Sequence, residues 1–230
     1  DGEEIKKTLE RINKINLSKI SEDLLFKVLF TNAYAPENNL STEEFLKTKI
    51  NWLIKNKRIK DLEILLQKNP EAGTYPKAIK FLLNEYLSEA DLKSACDKVD
   101  LINRKIKDLY LEKFKIYCLI YNKRNDEAQL IYDLLKENEK KDKFFDDKIN
   151  FLLNITEKTS QKILDNNLLN FYLSQITVEN FNYIPDEKTD KYIWRYLSAA
   201  NLIEINNIED EKLLSSYEAA AANNSLDNDE

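Results

Sequence analysis

Three observations predict an all-α fold of stacked helical hairpins: scarce turn residues, an internal repeat, and apolar positions spaced for helices. Only 2 of the 230 residues are Gly and 4 are Pro. Sheet proteins need tight, Gly-rich turns, and phosphate loops need glycines close together, which Gly2 and Gly73 cannot supply. The tripeptide Asn56-Lys57-Arg58 returns as Asn122-Lys123-Arg124, 66 residues on, or two periods of 33. Self-similarity at such a period marks helical hairpins that bury their apolar faces against their neighbours. The predicted architecture is therefore a right-handed α-α superhelix, a solenoid with helical caps at both ends.

Residues 1–41 are read as an N-terminal cap of two amphipathic helices. The first spans Glu4–Ile15; the second starts after Ser21 and buries Leu24, Leu25, Val28 and Leu29 at helical spacing. Ala35-Pro36-Glu37-Asn38-Asn39 reads as a loop. Ser41 followed by Glu44 is the signature of a capping box, in which each side chain satisfies the other's backbone N–H.

Residues 42–176 are read as four degenerate hairpins of about 33 residues. Ile50, Leu83, Ile116 and Ile149 fall one period apart, as do Leu53, Tyr86, Leu119 and Leu152, and Ile54, Leu87, Ile120 and Leu153. These positions place first helices at 42–56, 76–88, 108–122 and 142–155. Second helices are predicted at 59–68, 90–103, 125–138 and 160–174, in looser register. Leu62, Ala95 and Ala128 agree, but the fourth position is Gln161; Leu65, Ile131 and Leu164 agree, but Lys98 interrupts. Residues 177–222 form a C-terminal cap: a turn at Tyr183-Ile184-Pro185-Asp186, a helix from Tyr192 to Ala200, and a last helix at 208–221 carrying Leu213, Leu214 and Tyr217. The polar tail 223–230 is expected to be disordered.

Opposite charges are interspersed, with 33% charged residues and a net charge of −6. An acidic balance disfavours general nucleic-acid binding, which depends on neutralising phosphates. No apolar run approaches membrane-spanning length. The chain begins at Asp1 and contains 0 Met, so it reads as a processed product or a fragment, and a missing leader says nothing about compartment.

The periodic pattern over about residues 42–175 resembles the tetratricopeptide-repeat (TPR) class, and looks most like uncharacterised helical-repeat proteins of bacteria. In that family a small residue early in the second helix is followed by an aromatic four residues later. Ala128 with Tyr132 fits; Ala95 with Val99 fits in part. The chain departs at Ile50, Leu83, Ile116 and Ile149, where the family places Gly or Ala, and it lacks the Pro that ends each repeat. The resemblance implies a TPR-like solenoid that holds partners along a concave face. It places Lys47 and Asn51, repeated as Lys80 and Asn84 and then as Lys113 and Tyr117, on that face. Lys and Asn at i, i+4 share a helix surface and suit a partner's carboxylate; the alternative is an ordinary solvated face.

Catalytic chemistry is scarce in this sequence. With 0 His, Ser-His-Asp and Cys-His catalysis and His-containing metal sites are excluded. Paired acids such as Asp146-Asp147 read as solvated helix faces among 41 acidic residues. No catalytic, cofactor or metal residue is assigned. Cys96 and Cys118 fall on helices expected to be antiparallel neighbours, so they form either a disulfide, which implies an oxidising compartment such as a bacterial periplasm, or two buried thiols, compatible with the cytoplasm. Tyr110, Tyr117, Tyr121, Tyr192, Trp194 and Tyr196 are read mainly as core, with a minority lining a groove.

The functional expectation is a non-catalytic scaffold for a protein or peptide partner, with Lys47, Asn51, Lys80, Asn84, Lys113, Tyr117 and Tyr121 as candidate contacts. The alternatives are a helical accessory domain of a larger enzyme or envelope assembly, and a nucleic-acid-binding helical repeat that would require strong charge segregation.

Overall fold

The structure is a computed structural model that describes residues 2–31, 38–103, 106–138, 142–203 and 211–222. The described residues form twelve α-helices and two short 3-10 helices, with no strand. None of these helices is long and apolar enough to cross a membrane. The chain divides into two compact units, Asp1–Ala78 and Ile79–Glu230, a division that falls inside the predicted hairpin array.

The first unit contains α1 (Gly2–Ile12), α2 (Lys19–Leu29), α3 (Thr42–Lys55), α4 (Ile59–Lys68) and a 3-10 helix at Pro70–Thr74. Ser41 and Glu44 form the expected capping box at the start of α3. α3 packs on α4, and Ile50, Trp52, Leu53, Leu62 and Leu66 are buried. Phe26 and Phe30 stack near Trp52, with ring centroids 6.0 and 6.2 Å from it. The Arg58 guanidinium lies 3.8 Å from the Phe26 ring centre and pairs with Asp23 and Asp61 at 3.1 and 2.7 Å, so it ties α2 to the α3–α4 hairpin.

Helix α2 departs from the expected stripe of Leu24, Leu25, Val28 and Leu29. Leu24 and Val28 are 64% and 62% exposed, and only Leu29 of the predicted stripe is fully buried. The two Phe rings have more area to cover than Leu24 and Val28, so the helix presents Leu25, Phe26, Leu29 and Phe30 inward.

The division falls within α5 (Pro76–Ser88). The second unit continues with α6 (Leu92–Asp97), a 3-10 helix at Val99–Leu101, α7 (Leu109–Tyr121), α8 (Asn125–Asn138), α9 (Lys143–Leu152), α10 (Leu168–Thr177), α11 (Lys191–Ala199) and α12 (Glu211–Ala222). Helix α7 is central: it buries Leu111, Phe114, Ile116, Tyr117, Cys118 and Leu119, and it packs on α8 and on α9. A helix apolar on nearly every side is one surrounded by others.

The Asn-Lys-Arg repeat turns out to be a turn. Lys57, Ala90 and Lys123, spaced 33 residues apart, all adopt left-handed backbone with φ of 50, 55 and 62°. Lys57 N–H donates to Ile54 O and Arg58 N–H to Leu53 O; Ala90 and Asp91 donate likewise to Leu87 and Tyr86, and Lys123 and Arg124 to Ile120 and Leu119, all within 2.8–3.2 Å. This paired bonding satisfies the orphan carbonyls at each helix end, and the next residue opens the following helix. The left-handed region costs a non-Gly residue about 1–2 kcal/mol, while Gly gives back part of that through its freedom when unfolded. Lys57→Gly, Ala90→Gly and Lys123→Gly are each expected to stabilise the fold by about 0.5–1 kcal/mol, readable as a rise in the urea midpoint.

The fourth hairpin departs from prediction. Its αL residue is Asn154, two positions short of the period, and 160–174 does not form the second helix. Residues 156–165 carry no regular helix, and α10 begins only at Leu168. Side chains of α9 hold this segment down: Asp147 accepts from Thr159 Oγ1 at 2.7 Å and Ser160 N–H at 2.6 Å, while the fully buried Lys148 donates to Ser160 O. Gln161, exposed where the other hairpins have buried Leu or Ala, offers no apolar anchor for a packed helix. The predicted second helix at 90–103 is also shorter, as α6 plus a 3-10 turn. In α12, Tyr217 meets Trp194 at 5.6 Å between centroids, Ser216 and Ala220 are buried, and Leu214 is exposed. Residues 35–37, the 104–105 part of the α6–α7 connection, the Leu213 side chain and the tail 223–230 lie outside the described residues.

Candidate interaction surfaces

The predicted Lys/Asn pattern is taken up largely inside the chain. Lys80 Nζ lies 2.8 Å from the Asp108 carboxylate, and Asp108 also caps α7 by accepting from Tyr110 and Leu111 N–H at 3.1 and 3.2 Å. One period on, Lys113 pairs with Asp142, which caps α9 through Phe144 and Phe145 N–H. Asn84 accepts from the Tyr110 hydroxyl; one period earlier, Asn51 accepts from Lys77 at 3.4 Å. The cation of one first helix thus neutralises the capping acid of the next, which explains why Lys recurs at this spacing. Tyr117 is buried, its hydroxyl 2.9 Å from that of Tyr172. Lys47 and Tyr121 remain exposed.

Burial works to raise the Asp142 pKa, but the Lys113 ammonium and two backbone N–H groups outweigh it and hold the carboxyl below its ordinary 3.8. Backbone and hydroxyl bonds from Ser41 lower Glu44, and the Ser94 hydroxyl and N–H lower Asp91. A carboxyl with a depressed folded pKa adds stability that is present above its unfolded pKa and lost as pH falls through the folded one. The urea midpoint should therefore fall on acidification below about pH 4. Asp142→Asn, which can still cap α9, should make that fall shallower.

In the second unit the face carrying Asn84 and Tyr117 is covered by the chain's own C-terminal helices. Tyr172 of α10 sits against Tyr117, with ring centroids 5.3 Å apart. Arg195 of α11 reaches Glu85 at 2.8 Å and Glu89 at 2.6 Å on α5. Phe171, Phe181, Tyr183 and Tyr196 join edge to face around α10. Tyr110, Tyr192, Trp194 and Tyr196 thereby serve the interior rather than an open groove; Trp194 and Tyr196 are buried and the other two half-buried. Cys96 on α6 and Cys118 on α7 are joined in a disulfide, with Cα atoms 5.3 Å apart.

The first unit leaves surface open instead. Ile20, Leu24 and Val28, spaced i, i+4, i+8 along α2, are 83%, 64% and 62% exposed. On the side of α2 that carries Phe26 and Phe30, α2, α3 and α4 enclose a cleft of about 430 Å³ lined by Phe26, Phe30, Phe45, Leu46, Ile64 and Leu65, with Lys49 and Lys68 among its polar residues. Lys49 Nζ lies 4.5 Å from the Phe45 ring centre and 5.5 Å from that of Phe30. Burial lowers its pKa below the ordinary 10.5. These residues were not among the sequence candidates, although Phe26/Phe30 and Phe45/Lys49 carry the i, i+4 spacing that places pairs on one face.

Among the described residues no cluster of His, Cys, Asp or Glu is arranged to hold a metal ion. No family model, curated protein or solved structure matches this chain.

Proposed function

We propose that this chain is a non-catalytic interaction module, a degenerate TPR-like array of helical hairpins that holds a protein or peptide partner. The observation that carries the reading is the exposed Ile20–Leu24–Val28 stripe of α2; a cleft on the Phe26/Phe30 side of the same helix supports it. Solvated helices do not normally align three large apolar residues toward water, and contiguous apolar surface of this kind marks association sites. The three like-built turns, one period apart, support the repeat reading, as does the packing of α7 on α9 within the second unit. Because the second unit covers its own Lys/Asn face, the partner surface in this reading is that of the first unit; Lys47 and Asn51, on α3, are the members of the original set that remain candidates there.

A chemical cross-linking pull-down tests this. The 230-residue chain should capture a discrete partner that is lost from the doubly substituted Leu24→Glu, Val28→Glu chain, whose helicity should be unchanged because both positions face water. Equal capture by both chains would sink the assignment. A second reading, an accessory domain of an envelope assembly, is favoured by the Cys96–Cys118 disulfide, since such bonds persist in oxidising compartments.

A further inference from the structure

Lys49 is a cation with no anion beside it among the described residues. Among the described residues no carboxylate lies within ion-pair distance of it, while Asp61, which also lines the cleft, is occupied by Arg58 at 2.7 Å. The ammonium is held instead over two phenyl faces, in a cleft lined by aromatic and branched aliphatic side chains together with Thr31, Thr42, Asp61, Lys68 and Asn69. Ring faces give a partly dehydrated cation some attraction, but less than a carboxylate at contact distance would. A partly desolvated charge with no counter-ion is costly to keep and is relieved when a ligand brings one.

We propose that the cleft between α2, α3 and α4 binds an acidic, apolar peptide segment, its carboxylate set on Lys49 and its large side chain packed among Phe26, Phe30 and Phe45. The proposal rests on the reading of the chain as an interaction module, and it specifies the chemistry of the partner. The cleft's volume lies within the about 300–1,000 Å³ usual for ligand sites, enough for more than one side chain. The cleft is not an enclosed cavity, and Thr31 and Thr42 are among its lining residues, as suits a peptide segment rather than a fatty acid enclosed end to end. One inner Lys with a second, Lys68, in the lining matches a single carboxylate; a phosphate would call for the forked donors of Arg. Lys49 also explains why the site would discriminate: an uncharged apolar segment would bury the ammonium further and leave it unpaired.

The test is selection of random displayed peptides on the full 230-residue chain, followed by affinity measurement against Lys49→Glu and Lys49→Met. The expected result is enrichment of Asp or Glu adjacent to Leu, Ile, Phe or Trp. Affinity should fall roughly tenfold or more on charge reversal, with a smaller loss for Met. Lys49→Met keeps the stem over the rings, so it remains informative if the Glu variant misfolds by circular dichroism. Selected peptides that lack an acid, or that bind the Met variant unchanged, would overturn the cleft assignment while leaving the interaction reading standing. If no peptide is enriched, the cleft proposal falls, while the interaction reading is decided separately by capture with the Leu24→Glu, Val28→Glu chain. Decanoate that shifts the Lys49 side-chain NMR signals while no peptide is selected would assign the cleft to a small free acid and overturn the proposal.

Discussion

Replacing Arg195 by Ala is expected to destabilise the chain by about 3 kcal/mol. Glu85 is only 3% exposed, and its carboxylate meets the guanidinium at 2.8 Å. Removing one partner of a buried pair leaves the other charge desolvated and unpaired, which costs about 3–5 kcal/mol; the partial exposure of Arg195 places the value at the lower end. Glu89, largely solvated, contributes little because water screens its bond. A urea titration of Arg195→Ala should show the midpoint drop with little change in slope. The double variant Glu85→Leu, Arg195→Met should recover most of the loss, because apolar side chains of similar size replace both charges. If the double variant is as unstable as the single one, the loss comes from packing and the ion pair is not its cause. The same substitution should expose α5 to solvent where α11 now lies, so amide exchange around Glu85 should quicken more than exchange in α8.

Reduction of Cys96–Cys118 is the second large effect. The bond closes a loop with a sequence separation of 22 residues. In the chain-entropy account, opening such a loop in the unfolded state costs about 3 kcal/mol of stability. Cys96→Ser, Cys118→Ser should lower the melting temperature by several degrees, of the order a ~3 kcal/mol loss implies for a chain of this size. Wild type with reductant should melt at the lower temperature too. A melting point insensitive to reductant would show that α6 and α7 are held in register without the bond.

The Arg195–Glu85 contact joins elements remote in sequence, which residue order does not reveal; the Cys96–Cys118 bond, between successive α-helices, was one of the two expected alternatives. Helix positions were legible: α3, α4, α5 and α8 fall at the predicted places to within a residue, and α7 and α9 begin one residue late. Apolar spacing of 3–4 residues and capping acids or hydroxyls act over a single turn, so they can be read from neighbours alone. The period itself was legible because the turn it encodes is local, with Lys57, Ala90 and Lys123 each bonded only to residues within five positions.

The site was far less legible. Lys80 and Lys113 share the expected helix face, but whether a cation on that face meets a partner or an internal acid depends on Asp108 and Asp142, 28 and 29 residues away. Lys49 is not distinguished by spacing, because what sets it apart is that, among the described residues, no anion lies beside it in three dimensions.

The residue pattern by itself determined that this is an all-α chain, where most of its helices lie, and the 33-residue recurrence of its hairpin turns. Tertiary structure alone decided that α2 turns its Phe pair inward and leaves Ile20, Leu24 and Val28 to water, and that α10 and α11 cover the face of Asn84 and Tyr117. The physical reason is range: hydrogen bonds and caps are settled within a turn, whereas the choice among several apolar faces is settled by which combination buries the most surface over the whole fold.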